Sequence, residues 1–190
     1  MDAILLIILV VIILFGLSFS LFSGHAISSG EIPRDNGQTI LDPKGVDDGL
    51  ALVVFQPSKN GTIDEYARLI AETLFQSGYK VIIDTPSLDL SVRVTEYDLI
   101  ILGSAVSVGQ FATPLLDYIY SLPSLKNKTI GLFSNGRAES TSEFDEVEAI
   151  IKGKPRLVTA KFTKNSVATP LERAQDFVYD LLTVKPNHKN

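Results

Sequence analysis

Leu50 to Phe55, Leu-Ala-Leu-Val-Val-Phe, is an unbroken apolar run closed off by Pro57. A run this short and continuous predicts a strand covered on both faces, as in parallel sheets. A polar turn follows, Ser58-Lys59-Asn60-Gly61-Thr62, and then an amphipathic helix pattern from Ile63 to Ser77. Strand, small polar loop and helix together aim backbone N–H groups and a helix N-terminus at one point, an arrangement that favours an anion. The same residues also read as an ordinary helix-opening turn, with Asn60-Gly61 as the turn signal and Thr62 as N-cap. At this point both readings stand.

The pattern then repeats. Further strand runs cover 79–84, 97–103, 128–133 and 157–162. Helix patterns cover Ala112–Ser121, Ser142–Lys152 and a stretch from Pro170 to Val184, with Thr169 as N-cap and Pro170 at the first helical position. Residues 85–96 are mixed and read as a short helix or loop. Five strands alternating with helices predict an α/β fold over 50–184, a doubly wound parallel sheet, with a polar tail at 185–190. Ligands of such sheets sit beyond the C-terminal ends of the strands. Three loops converge there, 57–62, 104–111 and 134–140, each rich in Ser, Asn, Gly or Thr and poor in bulky residues.

Charge and composition exclude several chemistries. The net charge is −5 and Lys and Arg are scattered, so the clustered cations that nucleic-acid binding needs are missing. There is no cysteine, hence no disulfide, thiol nucleophile or iron–sulfur cluster. The two histidines, His25 and His188, rule against a multi-histidine metal site or a Ser-His-Asp triad. The acidic run Glu143, Asp145, Glu146 and Glu148 reads as a solvated helix face, with partner steering as the alternative.

Ala3 to Phe22 is 20 residues without a charge. Twenty helical residues rise about 30 Å, the thickness of a bilayer core. The stretch predicts a single transmembrane helix; a signal peptide is the rival, but it wants a basic start and a shorter core. Arg34 and Lys44 are the first cations beyond the run, which places the following domain on the cytoplasmic side. The sequons Asn60-Gly61-Thr62 and Asn127-Lys128-Thr129 matter only if that domain faces outward. Ser23 to Gly49 holds five glycines and two prolines without periodicity and reads as a flexible tether.

Among α/β plans, a dinucleotide Rossmann domain wants Gly-x-Gly-x-x-Gly after the first strand, where only Gly61 is present. Asp84 therefore reads as a solvated strand-end acid. A phosphate-accepting receiver wants an aspartate after the third strand, where Gly103-Ser104 stands, and no Gly-Lys-Ser/Thr occurs for a nucleotidase loop.

The segment Ser58-Lys59-Asn60-Gly61-Thr62-Ile63 resembles, without a gap, the phosphate loop of flavodoxins, roughly Ser/Thr-x-Thr-Gly-x-Thr. Asn60 stands for a hydroxyl residue and Ile63 for the last threonine. Tyr97 to Val106 with Gly109 is similar to the family's third strand and first flavin loop, and Lys128 to Gly136 to its fourth strand and second flavin loop. The subgroup it most resembles includes the flavodoxin-like protoporphyrinogen oxidases. The resemblance implies a five-stranded sheet in the order 2-1-3-4-5 and an FMN cofactor. It implies that Ser58, Lys59, Asn60, Gly61 and Thr62 hold the phosphate. It implies that Ser104, Ala105, Val106, Ser107, Gly109, Phe111, Ser134, Asn135 and Gly136 surround the ring. Joined to the apolar segment, it implies a membrane-tethered electron carrier with a membrane-associated redox partner. A cofactor-free scaffold, and a flavin oxidoreductase acting on a quinone or porphyrin, are the alternatives.

Overall fold

The computed structural model describes residues 31–32 (backbone only), 38–43, 49–87 and 93–183. The chain divides into two compact units, Met1–Glu31 and Ile32–Asn190. The expected span Ala3–Phe22 lies outside the described residues, as do most of the tether and the polar tail. No helix among the described residues is long and apolar enough to cross a membrane.

The strands are β1 (Glu31–Ile32), β2 (Thr39–Leu41), β3 (Leu50–Gln56), β4 (Lys80–Asp84), β5 (Leu99–Ser107), β6 (Gln110–Phe111), β7 (Thr129–Asn135) and β8 (Arg156–Phe162). The helices are α1 (Thr62–Gln76), α2 (Thr113–Ser121), α3 (Ser142–Ile150) and α4 (Pro170–Thr183), with a 3-10 turn at Val94–Glu96. The five apolar runs pair in parallel in the order β4-β3-β5-β7-β8. Counted along the chain this is second, first, third, fourth, fifth.

Alternation within each strand splits the core in two. Ala51, Val53, Leu99 and Ile101 face one side and pack with Ile63, Ile70 and Leu74 of α1 and Phe177 and Leu181 of α4. Leu52, Val54, Ile100 and Leu102 face the other and pack with Leu115 and Ile119 of α2 and Phe144 and Val147 of α3. Burial on both faces explains why these strands are continuous apolar runs rather than alternating ones. Two glycines make room for buried rings. A Cβ on Gly103 would overlap the Phe133 ring, and one on Gly131 would lie 2.9 Å from Phe177.

Three strands, β1, β2 and β6, go beyond the expected five. Thr39–Leu41, within the segment read as a tether, pairs antiparallel with β4, register Thr39↔Ile83. Three residues held mainly by backbone pairing leave no periodic trace in a sequence. Lys80 also reaches Asp42 at 2.7 Å, and Gln38 donates to Asp84 at 2.6 Å, so the strand-end acid has a partner. The stretch 104–111, expected as a loop, continues β5 to Ser107, turns at Val108-Gly109 and returns as β6. Small polar residues pair through their backbones as well as apolar ones do, and Ser104 and Ala105 still face Ser134 and Asn135 of β7.

Helix α4 opens on a reciprocal cap. Glu172 N–H donates to the Thr169 hydroxyl at 3.3 Å, while the Glu172 carboxylate accepts from Thr169 N–H at 2.7 Å and from its hydroxyl at 2.9 Å. Thr169→Ala is expected to cost about 0.5–2 kcal/mol, read by thermal unfolding. The same bonds, the backbone one first, hold the Glu172 carboxyl below its ordinary value of 4.5. The fold binds the ionised form better. This contribution is therefore full above pH 4.5 and is lost as pH falls through the lowered value.

Candidate functional site

The loop after β3 turns at Gly61, which adopts φ 69° and ψ 2°, a left-handed conformation that suits glycine. Its donors are turned inward. Gly61 N–H donates to Ser58 C=O at 3.0 Å. Thr62 N–H donates to Asn60 Oδ1 at 3.3 Å, and Ile63 N–H to Ser58 Oγ at 3.2 Å. Ser58 N–H donates to Asp64 Oδ2 at 3.1 Å, and the Ser58 hydroxyl reaches Asn60 Oδ1 at 2.9 Å. Lys59 is exposed at the tip. Ile63, which takes the place of the family's last threonine, is wholly buried in the core beneath α1. At that position the chain contributes packing rather than a hydroxyl.

Beyond the C-terminal ends of β3, β5, β7 and β8 lies a cleft of about 470 Å³. Of the expected residues it gathers Asn60, Ala105, Val106, Ser107, Gly109, Asn135 and Gly136. Ser58, Lys59 and Gly61 stand in the adjoining loop and Thr62 opens α1, all outside its lining. Three expected residues belong elsewhere. Ser104 is wholly buried, its hydroxyl donating to Ala105 C=O at 2.8 Å and accepting from Ala112 N–H at 3.1 Å. Ser134 is wholly buried and donates to Glu143 Oε1 at 2.7 Å. Phe111 is a core residue, 4% exposed, tilted against Phe144 with ring centroids 5.8 Å apart. As the last residue of β6, paired with Val106, it turns its ring into the core beside Leu115 and Phe144. Where a ring-stacking aromatic would stand, the turn presents Val108, fully exposed at φ 54°. A β-branched residue in that region is strained.

The cleft also holds residues outside the expected set. Lys161 and Lys164 line it, and so does Arg137. Lys161 sits at the end of β8 with its side chain 7% exposed, and pairs at 2.8 Å with Glu143, which is wholly buried. Its ammonium also donates to Ser140 C=O. Glu143 therefore lies inside, although the acidic run reads as a solvated face; only Asp145 and Glu148 of that run are exposed. Glu143 Oε1 takes both Lys161 and Ser134, and its Oε2 has no partner among the described residues. The signal available in the sequence is a lysine inside the strand run Leu157–Phe162.

Arg173 of α4 holds the end of β8. It donates to the carbonyls of Lys161 at 2.8 Å and Thr163 at 2.7 Å, and its guanidinium lies 5.0 Å from the Phe162 ring centroid. It also reaches the Tyr66 hydroxyl at 3.2 Å, and Tyr66 stacks on Phe162 at 3.9 Å. One arginine thus joins α1, α4 and the strand that carries Lys161.

This is a flavodoxin-like α/β fold. A flavodoxin of Streptococcus pneumonia TIGR4 superposes with a TM-score of 0.56 at 20% identity, covering 70% of this chain and 97% of that one. Oxidised Flavodoxin 1 from Bacillus cereus superposes at 0.57 and 17% identity, covering 72% and 99%. Rubredoxin oxygen:oxidoreductase from Desulfovibrio gigas superposes at 0.57 and 13% identity, covering 70% of this chain and 35% of that one. No protein-family model and no curated protein matches the sequence. At these identities the likeness is one of fold.

The residues fit the ring half of a flavin mononucleotide. The cleft falls within the usual size of small-molecule sites, and residues 105–109 and 135–138 line it. The phosphate half is closed upon itself, since the N–H groups of Ser58, Gly61, Thr62 and Ile63 already have protein acceptors. An anion there would have to displace Asn60 and Asp64.

Proposed function

We propose that this chain binds a flavin, FMN or a close relative, in the cleft between the 105–109 and 135–138 turns and serves as an electron carrier. The carrying observation is the cleft itself, at the sheet end toward which loops 57–62, 104–111 and 134–140 point. The flavodoxin-like fold supports the reading. When bound, the flavin supplies the redox chemistry, and the chain's own residues bind and orient it. Asn135 is already fixed by donating from Nδ2 to Phe162 C=O at 2.5 Å, which steadies the turn that would face the ring edge. Ala3–Phe22 tethers the domain as a single-pass anchor, cytoplasmic by the placement of Arg34 and Lys44, near a membrane-associated redox partner. Tethering raises the effective concentration of the carrier at that partner.

The test is a titration of the full-length chain in mild detergent with FMN, followed by flavin fluorescence. Quenching with a Kd of about 1 μM or tighter is the expected result. Unquenched fluorescence at about 100 μM protein overturns the reading. Two observations favour a second reading, a cofactor-free interaction scaffold: the self-satisfied loop at Ser58–Ile63, and the lack of any aromatic among the described residues of the cleft lining.

A further inference from the structure

The charged side chains lining the cleft are Arg137, Lys161 and Lys164; no carboxylate lines it. This is a local reversal in a chain of net charge −5. Lys161 is offset by Glu143 at 2.8 Å. Arg137 and Lys164 are not: neither makes an ion pair or hydrogen bond among the described residues. The wall is thus left with a surplus of positive charge that the fold itself does not use. Unneutralised cations at the mouth of a concave, partly apolar site act on whatever charge the site holds.

We propose that Arg137 and Lys164 make this cleft selective for an anionic ring, so that it holds the reduced flavin more tightly than the oxidised one. The proposal rests on the flavin reading above and adds to it which redox state the site favours. Reduction of a neutral flavin ring by an external two-electron donor, dithionite in the test, takes up two electrons and one proton. The proton ends on N5 and one net negative charge remains on the N1–C2 carbonyl edge. Cations along the wall attract that charge and gain nothing from the oxidised ring. By linkage, tighter binding of the reduced form raises the midpoint potential of the bound flavin above that of the free one. Lys161 is a positioning residue in this scheme. Its pairing with Glu143 and Ser140 fixes the wall at Gly136, where an added Cβ would stand 3.6 Å from the lysine Cε.

Both free cations are exposed, so their effect is moderate and screened by salt. The experiment uses the full-length chain in mild detergent under anaerobic conditions. Kd values for oxidised FMN and oxidised riboflavin come from fluorescence, and the ratio of reduced to oxidised affinity comes from the midpoint potential of bound against free flavin. The wild type is expected to favour the reduced form about tenfold, equivalent to about 1.4 kcal/mol. R137Q/K164Q is expected to remove that preference while changing the oxidised Kd less than about threefold. The preference should be the same for FMN and riboflavin and should shrink as salt is raised. Lys126→Gln, at an exposed lysine near the opposite end of the sheet, should leave the ratio where it was.

Three results overturn the proposal. The wild type favours the oxidised form or neither form. R137Q/K164Q leaves the ratio unchanged. Or that variant weakens oxidised FMN and spares riboflavin, which makes Arg137 and Lys164 phosphate ligands instead. In all three the flavin reading survives. If neither redox state binds, the flavin reading falls and this proposal with it. Neither side chain has a partner to lose, so an unchanged thermal unfolding curve shows that R137Q/K164Q folds.

Discussion

Lys161→Met is expected to lower the unfolding free energy by about 3–5 kcal/mol, the usual cost of leaving one member of a buried ion pair alone. The pair lies at 2.8 Å with side chains 7% and 0% exposed, so almost no water reaches Glu143 to replace the lost ammonium. Ser134 would remain as a donor at 2.7 Å, but one neutral hydroxyl does not balance a carboxylate. Glu143 Oε2 already lacks a partner, so the site has no spare donor to turn inward. Methionine matches the lysine stem in length, so lost packing is a minor part of the change. Chemical denaturation of the variant gives the number directly. The double variant Glu143→Leu/Lys161→Met should recover most of the loss, since an apolar pair of similar volume can replace a buried ion pair at little cost. A single variant within about 1 kcal/mol of wild type would mean that the pair is solvated in solution, where ion pairs contribute little.

Gly103→Ala should cost about 3 kcal/mol, the upper end of overpacking effects. Gly103 stands opposite Phe133 in the parallel pairing of β5 with β7 and opposite Phe55 in that of β3 with β5. A methyl group there would overlap three carbons of the Phe133 ring. The ring itself is wholly buried and packs on Phe162 with centroids 6.1 Å apart. It cannot swing aside without moving Phe162, and Phe162 is the ring on which Arg173 rests. The backbone of Gly103 is not in a positive-φ conformation, so the penalty is one of space alone. Phe133→Leu in the same chain should relieve part of it. Equal losses for Gly103→Ala in the wild-type and in the Phe133→Leu backgrounds would show that the ring is not the obstacle.

The parts of the fold that the sequence declares are those with a repeating cause. Leu50–Phe55, Leu99–Leu102 and Ile130–Phe133 are covered on two faces and so are continuously apolar; α1 and α4 carry one apolar stripe each. Those signals place the sheet and the end of it where a ligand would lie. Elements held mainly by backbone pairing stay hidden, as with Thr39–Leu41 and the Ser104–Ser107 continuation of β5. The site is half legible for a related reason. Small polar turns announce a cleft, and Ala105–Gly109 and Asn135-Gly136 do line it. Whether a given serine faces the cleft or the core depends on partners distant in sequence. Ser134 turns in because Glu143 is buried, and Glu143 is buried because Lys161 arrives from another strand. No local pattern carries that three-residue dependence.

The grip of Arg173 on β8 has a consequence for how the domain comes into being. The ribosome makes α4 after every other described element, yet the wall that carries Lys161 and Lys164 is fastened through Arg173 to the carbonyls of Lys161 and Thr163. A nascent chain that has exposed β3 through β8 can align its sheet but leaves Phe162, Phe133 and the β8 carbonyls open to water. Domains formed during synthesis generally close as units, and here the closing unit is also the one that completes the cleft. Formation of that wall is thereby postponed until α4 docks, after every other described element has been made.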